Sequence, residues 1–180
     1  FTSLLPIFLV DGCREALSHV RGPIICVANL LTEGRGMTGF TAADGVALAA
    51  AIRRGAPNTF ALGCMPYQSY HTVEKALANA TRFMQEAGSD AVKPQGGKSQ
   101  AHILKALVDA GIPTASHIGM TPHTVAVFGG FRIQGKTADG AMKILEDALA
   151  IEDAGCFMLE FEAVPARIAT VISQQLEIPT

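Results

Sequence analysis

The sequence predicts an α/β fold built on a parallel sheet, an incomplete (β/α)8 barrel, and three observations carry that prediction. Short β-branched apolar runs alternate with alanine-rich helical stretches six times, and a seventh strand begins near the end. Hydrophobic residues make up 49% of the 180 residues and charged residues 17%, which suits strands buried on both faces. No Gly-x-Gly-x-x-Gly follows the first strand and there is no P-loop, which argues against a nucleotide-binding doubly wound sheet. The whole of 1–180 is taken as one partial barrel domain. A complete barrel takes at least roughly 200 residues and eight strands, so two strands are lacking and open edges are expected.

The elements follow in order. Ile7 to Val10 is a short strand closed by Asp11-Gly12, and Cys13 to Val20 a short helix. Ile24 to Ala28 is a β-branched run of strand length that ends at Asn29. Thr41-Ala42-Ala43-Asp44 is a capping-box start with the shorter Asp in place of Glu, and its helix runs to Arg53-Arg54. That basic pair reads as a solvated helix end suited to the dipole. Thr59 to Gly63 is the next strand, Thr72 to Ala87 a helix, and Asp90 to Lys93 a strand stopped by Pro94. Ser99 to Ala110 is a helix, Pro113 to Ile118 a strand, and Thr121-Pro122 opens a single helical turn. Ala138 to Ala154 is an amphipathic helix, Phe157 to Phe161 a strand, and Pro165 to Leu176 a helix with Pro at its first position.

Composition excludes several classes. A net charge of −2 gives no case for nucleic acid or a membrane surface, and no apolar run reaches the roughly 18 residues of a spanning helix. The four cysteines (Cys13, Cys26, Cys64, Cys156) lack Cys-x-x-Cys spacing and read as reduced thiols of a cytosolic protein. The chain opens at Phe1 without a Met, lacks the charged start of a secretory signal, and stops at what reads as another strand. A fragment or a shortened relative is expected.

The candidates for chemistry sit where strands end: Asn29, Cys64, Lys93, His117 and Glu162. A barrel brings the carboxyl ends of its strands to one mouth, so residues distant in sequence become neighbours. Lys93 closes a buried apolar run and needs an anion or carboxylate partner; the structural alternative is a solvated lysine. The Gly96-Gly97 pair after it lets a ligand or backbone approach closely. His117 suits donation to an oxyanion or a substrate carboxylate, against the alternative of a core histidine satisfied by a backbone carbonyl. Glu160 and Glu162 share one strand face, where two carboxylates are costly unless paired or functional. Desolvation there is expected to raise a carboxyl pKa toward acid-base use, unless the strand end is frayed and wet.

Residues Ser116 to Gly135, SHIGMTPHTVAVFGGFRIQG, resemble the signature of the ketopantoate hydroxymethyltransferase family, with Ser116 in place of its first Gly and His123 in place of a Gln. The resemblance extends over most of the chain, through Asp11, Gly36-Met37-Thr38, Arg53 to Asn58, Met65-Pro66-Tyr67, Val92-Lys93 with Gly96-Gly97, and Glu162-Ala163-Val164-Pro165. It implies a barrel of the phosphoenolpyruvate/pyruvate type, forming homo-oligomers. It also implies transfer of a one-carbon unit from 5,10-methylenetetrahydrofolate to 3-methyl-2-oxobutanoate, with Mg²⁺ gripping the oxo acid. By the resemblance Lys93 and His117 bind the oxo acid and Glu162 is the catalytic proton carrier. Asn29, Leu30 and Cys64 fall at its other substrate-binding positions.

This sequence departs from the family at the metal. The two metal-gripping aspartates align with Asn29 and Cys64, the glutamate after the lysine with Gln95, and a serine with Leu30. Neutral carbonyls and a soft thiol are poor substitutes for the hard oxygens that Mg²⁺ prefers. Three readings follow: a divergent, weakened hydroxymethyltransferase; a non-catalytic relative acting as a binding or assembly partner; or a related barrel lyase on another 2-oxo acid, with a reactive, exposed Cys64.

Overall fold

A computed structural model describes residues 24–27 and 40–180 of the chain. Expectations for Ile7 to Val10, Asp11, Cys13 to Val20, Asn29, Leu30 and the Gly36-Met37-Thr38 loop lie outside these residues.

Among the described residues five strands alternate with helices. They are β1 (Ile24–Val27), β2 (Phe60–Cys64), β3 (Ala91–Lys93), β4 (Ala115–Gly119) and β5 (Met158–Glu162). The helices are α1 (Ala42–Gly55), α2 (Val73–Gln85), α3 (Ala101–Asp109), the single turn α4 (Val125–Phe128), α5 (Ala138–Asp153) and α6 (Ala166–Ser173). Short 3₁₀ turns, Lys98–Gln100 and Pro122–Thr124, lead into α3 and α4.

All strand pairs are parallel. β1, β2 and β3 form one sheet in that order, and β4 pairs with β5. A parallel bridge from Val92 to Thr114 links the two sheets, so the strands lie side by side in chain order. Sequential order with a helix between neighbours is the arrangement of barrel staves, not of a doubly wound sheet. On the other side of β5, the Leu159 amide donates to the Pro179 carbonyl at 3.0 Å.

Strand alternation sends successive side chains to opposite layers. Val92, Ile118 and Leu159 join the helix layer, where α2 contributes Ala76, Ala80 and Phe83 and α5 contributes Ile144, Ala148 and Ile151. The α2 residues recur at helical spacing, as an amphipathic crossover requires. Their neighbours on the strands, Leu62, Ala91, Ala115 and Met158, form a second apolar layer on the opposite face, with Phe60 and Phe157 packed against it.

Local signals held where they rest on capping. The capping box at the start of α1 is complete, with the Thr41 amide bonded to Asp44 at 2.8 Å. Pro165 stands one residue before α6 rather than inside it, and α6 ends at Ser173. Arg53 corrects the expectation of a solvated helix end. Its guanidinium donates to the carbonyls of Gly88 (2.8 Å), Pro57 (3.1 Å) and Thr59 (2.9 Å) and pairs with Asp90. Asp90 in turn accepts from the Ala61 amide at 2.8 Å. A planar fork with five donors can hold four partners in two chain segments at once, which outweighs the helix-dipole preference.

Candidate functional site

One step above the apolar layer, the same strand face becomes polar. Cys64 follows Leu62 by two residues on β2, Lys93 follows Ala91 on β3, His117 follows Ala115 on β4, and Glu160 and Glu162 follow Met158 on β5. Register pairs Cys64 with Lys93, His117 with Glu160 and Gly119 with Glu162. These side chains therefore share the inner face at the carboxyl ends of the strands. His117 is not at a strand end as expected: β4 continues two residues past it to Gly119. Gly119 has φ +92, and a Cβ there would lie 2.3 Å from the Glu162 carbonyl oxygen. That close approach lets the Met120 amide bond the same carbonyl at 2.8 Å and sets where Glu162 stands.

Lys93 is 1% exposed, and its ammonium pairs with the Glu160 carboxylate. The partner that a buried lysine demands thus comes from β5. Burial pushes the Glu160 pKa up, but the charges of Lys93 and His117 outweigh it and hold the group below its ordinary value. The expected raised carboxyl pKa is therefore not found at Glu160. Nor is the strand end frayed: Glu160 and Glu162 keep only 26% and 27% side-chain exposure.

His117 is wholly buried, and its Nε2 lies 3.0 Å from a Glu162 carboxylate oxygen. Yet neither ring nitrogen makes a hydrogen bond, so this is proximity without an aligned N–H. A core histidine satisfied by a backbone carbonyl is ruled out by the same fact. The backbone around it is fixed: the Gly96 amide donates to the His117 carbonyl at 2.9 Å, and the Ser116 hydroxyl donates to the Gly96 carbonyl at 2.8 Å. At Gly97 the close neighbour is the Asp147 side chain of α5, which accepts from the Lys98 amide at 2.9 Å.

A second buried network, unforeseen from sequence, closes one side. The Tyr70 hydroxyl lies 2.7 Å from His123 Nδ1 and accepts from the Gln95 amide at 3.2 Å. Gln95 Oε1 accepts from the His123 amide at 3.1 Å. Burial first, then the charges of His117 and Lys93, lowers the His123 pKa to about 4, so the ring beside the Tyr70 hydroxyl is neutral. Tyr70 lies in an irregular loop without periodicity, so no pattern marked it. Glu160 was legible as half of a carboxylate pair, but not as the partner of Lys93.

Of the positions that the resemblance assigns to magnesium, the two among the described residues do not suit that ion. Cys64 is a buried thiol at 4% exposure, and Gln95 aims its carbonyl oxygen at a backbone amide. Mg²⁺ prefers carboxylates and water, and these positions supply neither carboxylate. The same burial removes the exposed thiolate that a Cys64-based lyase would need.

A family profile for ketopantoate hydroxymethyltransferase matches residues 27–180. Among curated proteins, 3-methyl-2-oxobutanoate hydroxymethyltransferase 1 of Methylibium petroleiphilum is 81% identical over 132 residues, covering 73% of this chain and 45% of that protein. The enzyme of Roseiflexus is 42% identical over 177 residues, covering 94% and 63%. The chain thus spans about half the length of most of the curated relatives it matches. Among solved structures, 2,3-dimethylmalate lyase, a PEP mutase/isocitrate lyase superfamily member, superposes with a TM-score of 0.64 at 15% identity, over 91% of this chain and 59% of that one. That last likeness is one of fold. The profile match over most of the chain, with these relatives, shows that the chain belongs to the ketopantoate hydroxymethyltransferase family.

Proposed function

We propose that this chain carries the oxo-acid-handling part of a 3-methyl-2-oxobutanoate hydroxymethyltransferase, which moves a one-carbon unit from 5,10-methylenetetrahydrofolate to a 2-oxo acid. The observation that supports it most is the meeting of Lys93, His117, Glu160 and Glu162 on one inner strand face. The reading takes the strands as staves of a (β/α)8 barrel of the phosphoenolpyruvate/pyruvate type, in a cytoplasmic homo-oligomer. Among the described residues no helix is long and apolar enough to cross a membrane.

In this mechanism Glu160 fixes the direction of the Lys93 ammonium, which attracts the oxo-acid carboxylate. His117 donates to the 2-oxo oxygen, where negative charge gathers as the enolate forms. Glu162 takes the proton from C3, and the electron pair of that C–H bond moves into the enolate. The enolate carbon then forms the new carbon–carbon bond to the folate-borne methylene; the two methylene–nitrogen bonds break with their electron pairs left on tetrahydrofolate, whose nitrogens take up the C3 proton and one proton from water, and that water supplies the product hydroxyl. In the family a Mg²⁺ ion supplies Lewis-acid stabilisation of the enolate; Cys64 and Gln95, the described residues at its positions, do not fit it.

Incubation with 3-methyl-2-oxobutanoate in D₂O, followed by proton NMR, tests enolisation without folate. Exchange at C3 is expected, slowed roughly 10²-fold or more in Glu162→Gln. Absence of exchange by the wild-type chain, with and without Mg²⁺, overturns the proposal and leaves the non-catalytic reading.

A further inference from the structure

Carboxylates are absent from Cys64 and Gln95, where the family would hold an ion, and stand instead on β5. His117, Glu160 and Glu162 each offer one ligand atom, and these atoms lie within 4.8 Å of one another. All three project from the same face of the β4–β5 pair, as the register dictates. Acidic clusters often hold nothing, but this one contains a wholly buried imidazole whose ring nitrogens both lack a hydrogen-bond partner. A buried polar group left in that state is costly unless a ligand completes it.

The geometry points to a divalent-cation site formed by His117, Glu160 and Glu162, apart from the family's magnesium positions. One imidazole nitrogen with two carboxylates is a donor set for borderline ions such as Zn²⁺, Co²⁺ or Mn²⁺ rather than for hard, reluctantly dehydrated Mg²⁺. Three protein ligands leave a coordination position open, as in catalytic zinc sites. A metal-ligating imidazole must be unprotonated, so in the ligating form the charges of Lys93, Glu160 and Glu162 leave the cluster one net negative charge. A divalent ion would turn it one net positive, which suits a further anionic ligand. Lys93 repels the ion through the carboxylate they share, so the site is weaker than a structural zinc centre. The inference concerns the chain without substrate and holds whether or not the transferase reading does. Because the ion and the substrate proton both need Glu162, the arm of the C3 exchange experiment without Mg²⁺ is run with chelator present.

The test is titration of the chelator-stripped chain with Co²⁺, followed by visible absorption, and with Zn²⁺ and Mg²⁺ by calorimetry. One equivalent of Co²⁺ is expected to bind, with d–d bands, without a thiolate charge-transfer band, and displaceable by Zn²⁺; Mg²⁺ gives no saturable signal at the same concentration. Glu160→Gln and Glu162→Gln, each shown folded by circular dichroism, weaken binding on the order of tenfold or more. Three results would overturn the site. They are no saturable binding by the wild-type chain, unchanged affinity in both glutamine variants, or a charge-transfer band that disappears in Cys64→Ser.

Discussion

The Lys93 ammonium is buried against the Glu160 carboxylate, 67 positions later in the chain. The buried Lys93 charge on β3 is matched by a carboxylate on β5, so β3 and β5 are energetically linked across β4. Glu160→Gln keeps an acceptor but removes the charge, and is expected to cost about 1–3 kcal/mol in urea unfolding. In a double-mutant cycle with Lys93→Met, the double variant should lose clearly less than the two single losses combined. Additive losses would show that the pair is not coupled.

His123 makes the fold acid-sensitive. Its pKa falls from 6.5 to about 4 on folding, so the unfolded chain binds a proton in that interval and the folded chain does not. Its contribution is therefore complete above pH 6.5 and is lost progressively as pH falls toward about 4. A loss of up to about 3 kcal/mol is expected across that window. Urea unfolding at a series of pH values would show it, and His123→Gln should flatten the profile there.

Arg53 should matter more than a helix-end arginine ordinarily does. Arg53→Ala strands three carbonyls and the Asp90 carboxylate, at an expected cost of about 2–4 kcal/mol in thermal or chemical unfolding. Arg54→Ala serves as the control, with an effect within about 0.5 kcal/mol, as for an ordinary surface change.

Two glycines separate strain from collision. Both have positive φ, +79 at Gly111 and +92 at Gly119, but a Cβ at Gly111 meets nothing within 4 Å. Gly111→Ala should cost about 1–2 kcal/mol, the left-handed penalty alone. Gly119→Ala adds a collision with the Glu162 carbonyl and should cost more. It should also slow C3 exchange, because relief requires the end of β5 to move.

Much of this architecture could be read in advance because it rests on local rules. Alternating β-branched runs, the Thr41–Asp44 cap and the glycine stops fix element type within a few residues. The inner-face placement of Lys93, His117 and Glu162 followed from strand alternation plus the convergence of parallel strands. What could not be read depends on pairings across sequence. Nothing near Lys93 says that Glu160 is its partner, and nothing near Arg53 announces Gly88 and Asp90. Tyr70, Gln95 and His123 meet only because two loops fold over one rim. The extent of β4 beyond His117 was set by pairing with β5, a tertiary effect that outruns local propensity.

The apolar layer of Leu62, Ala91, Ala115 and Met158 and the polar layer above it are built from the same strands, two residues apart. Foundation and chemistry are therefore separable under mutation. Replacement of an upper residue, as at Cys64, leaves the floor beneath it intact. A lineage can thus exchange side chains of the upper layer one at a time while the scaffold persists.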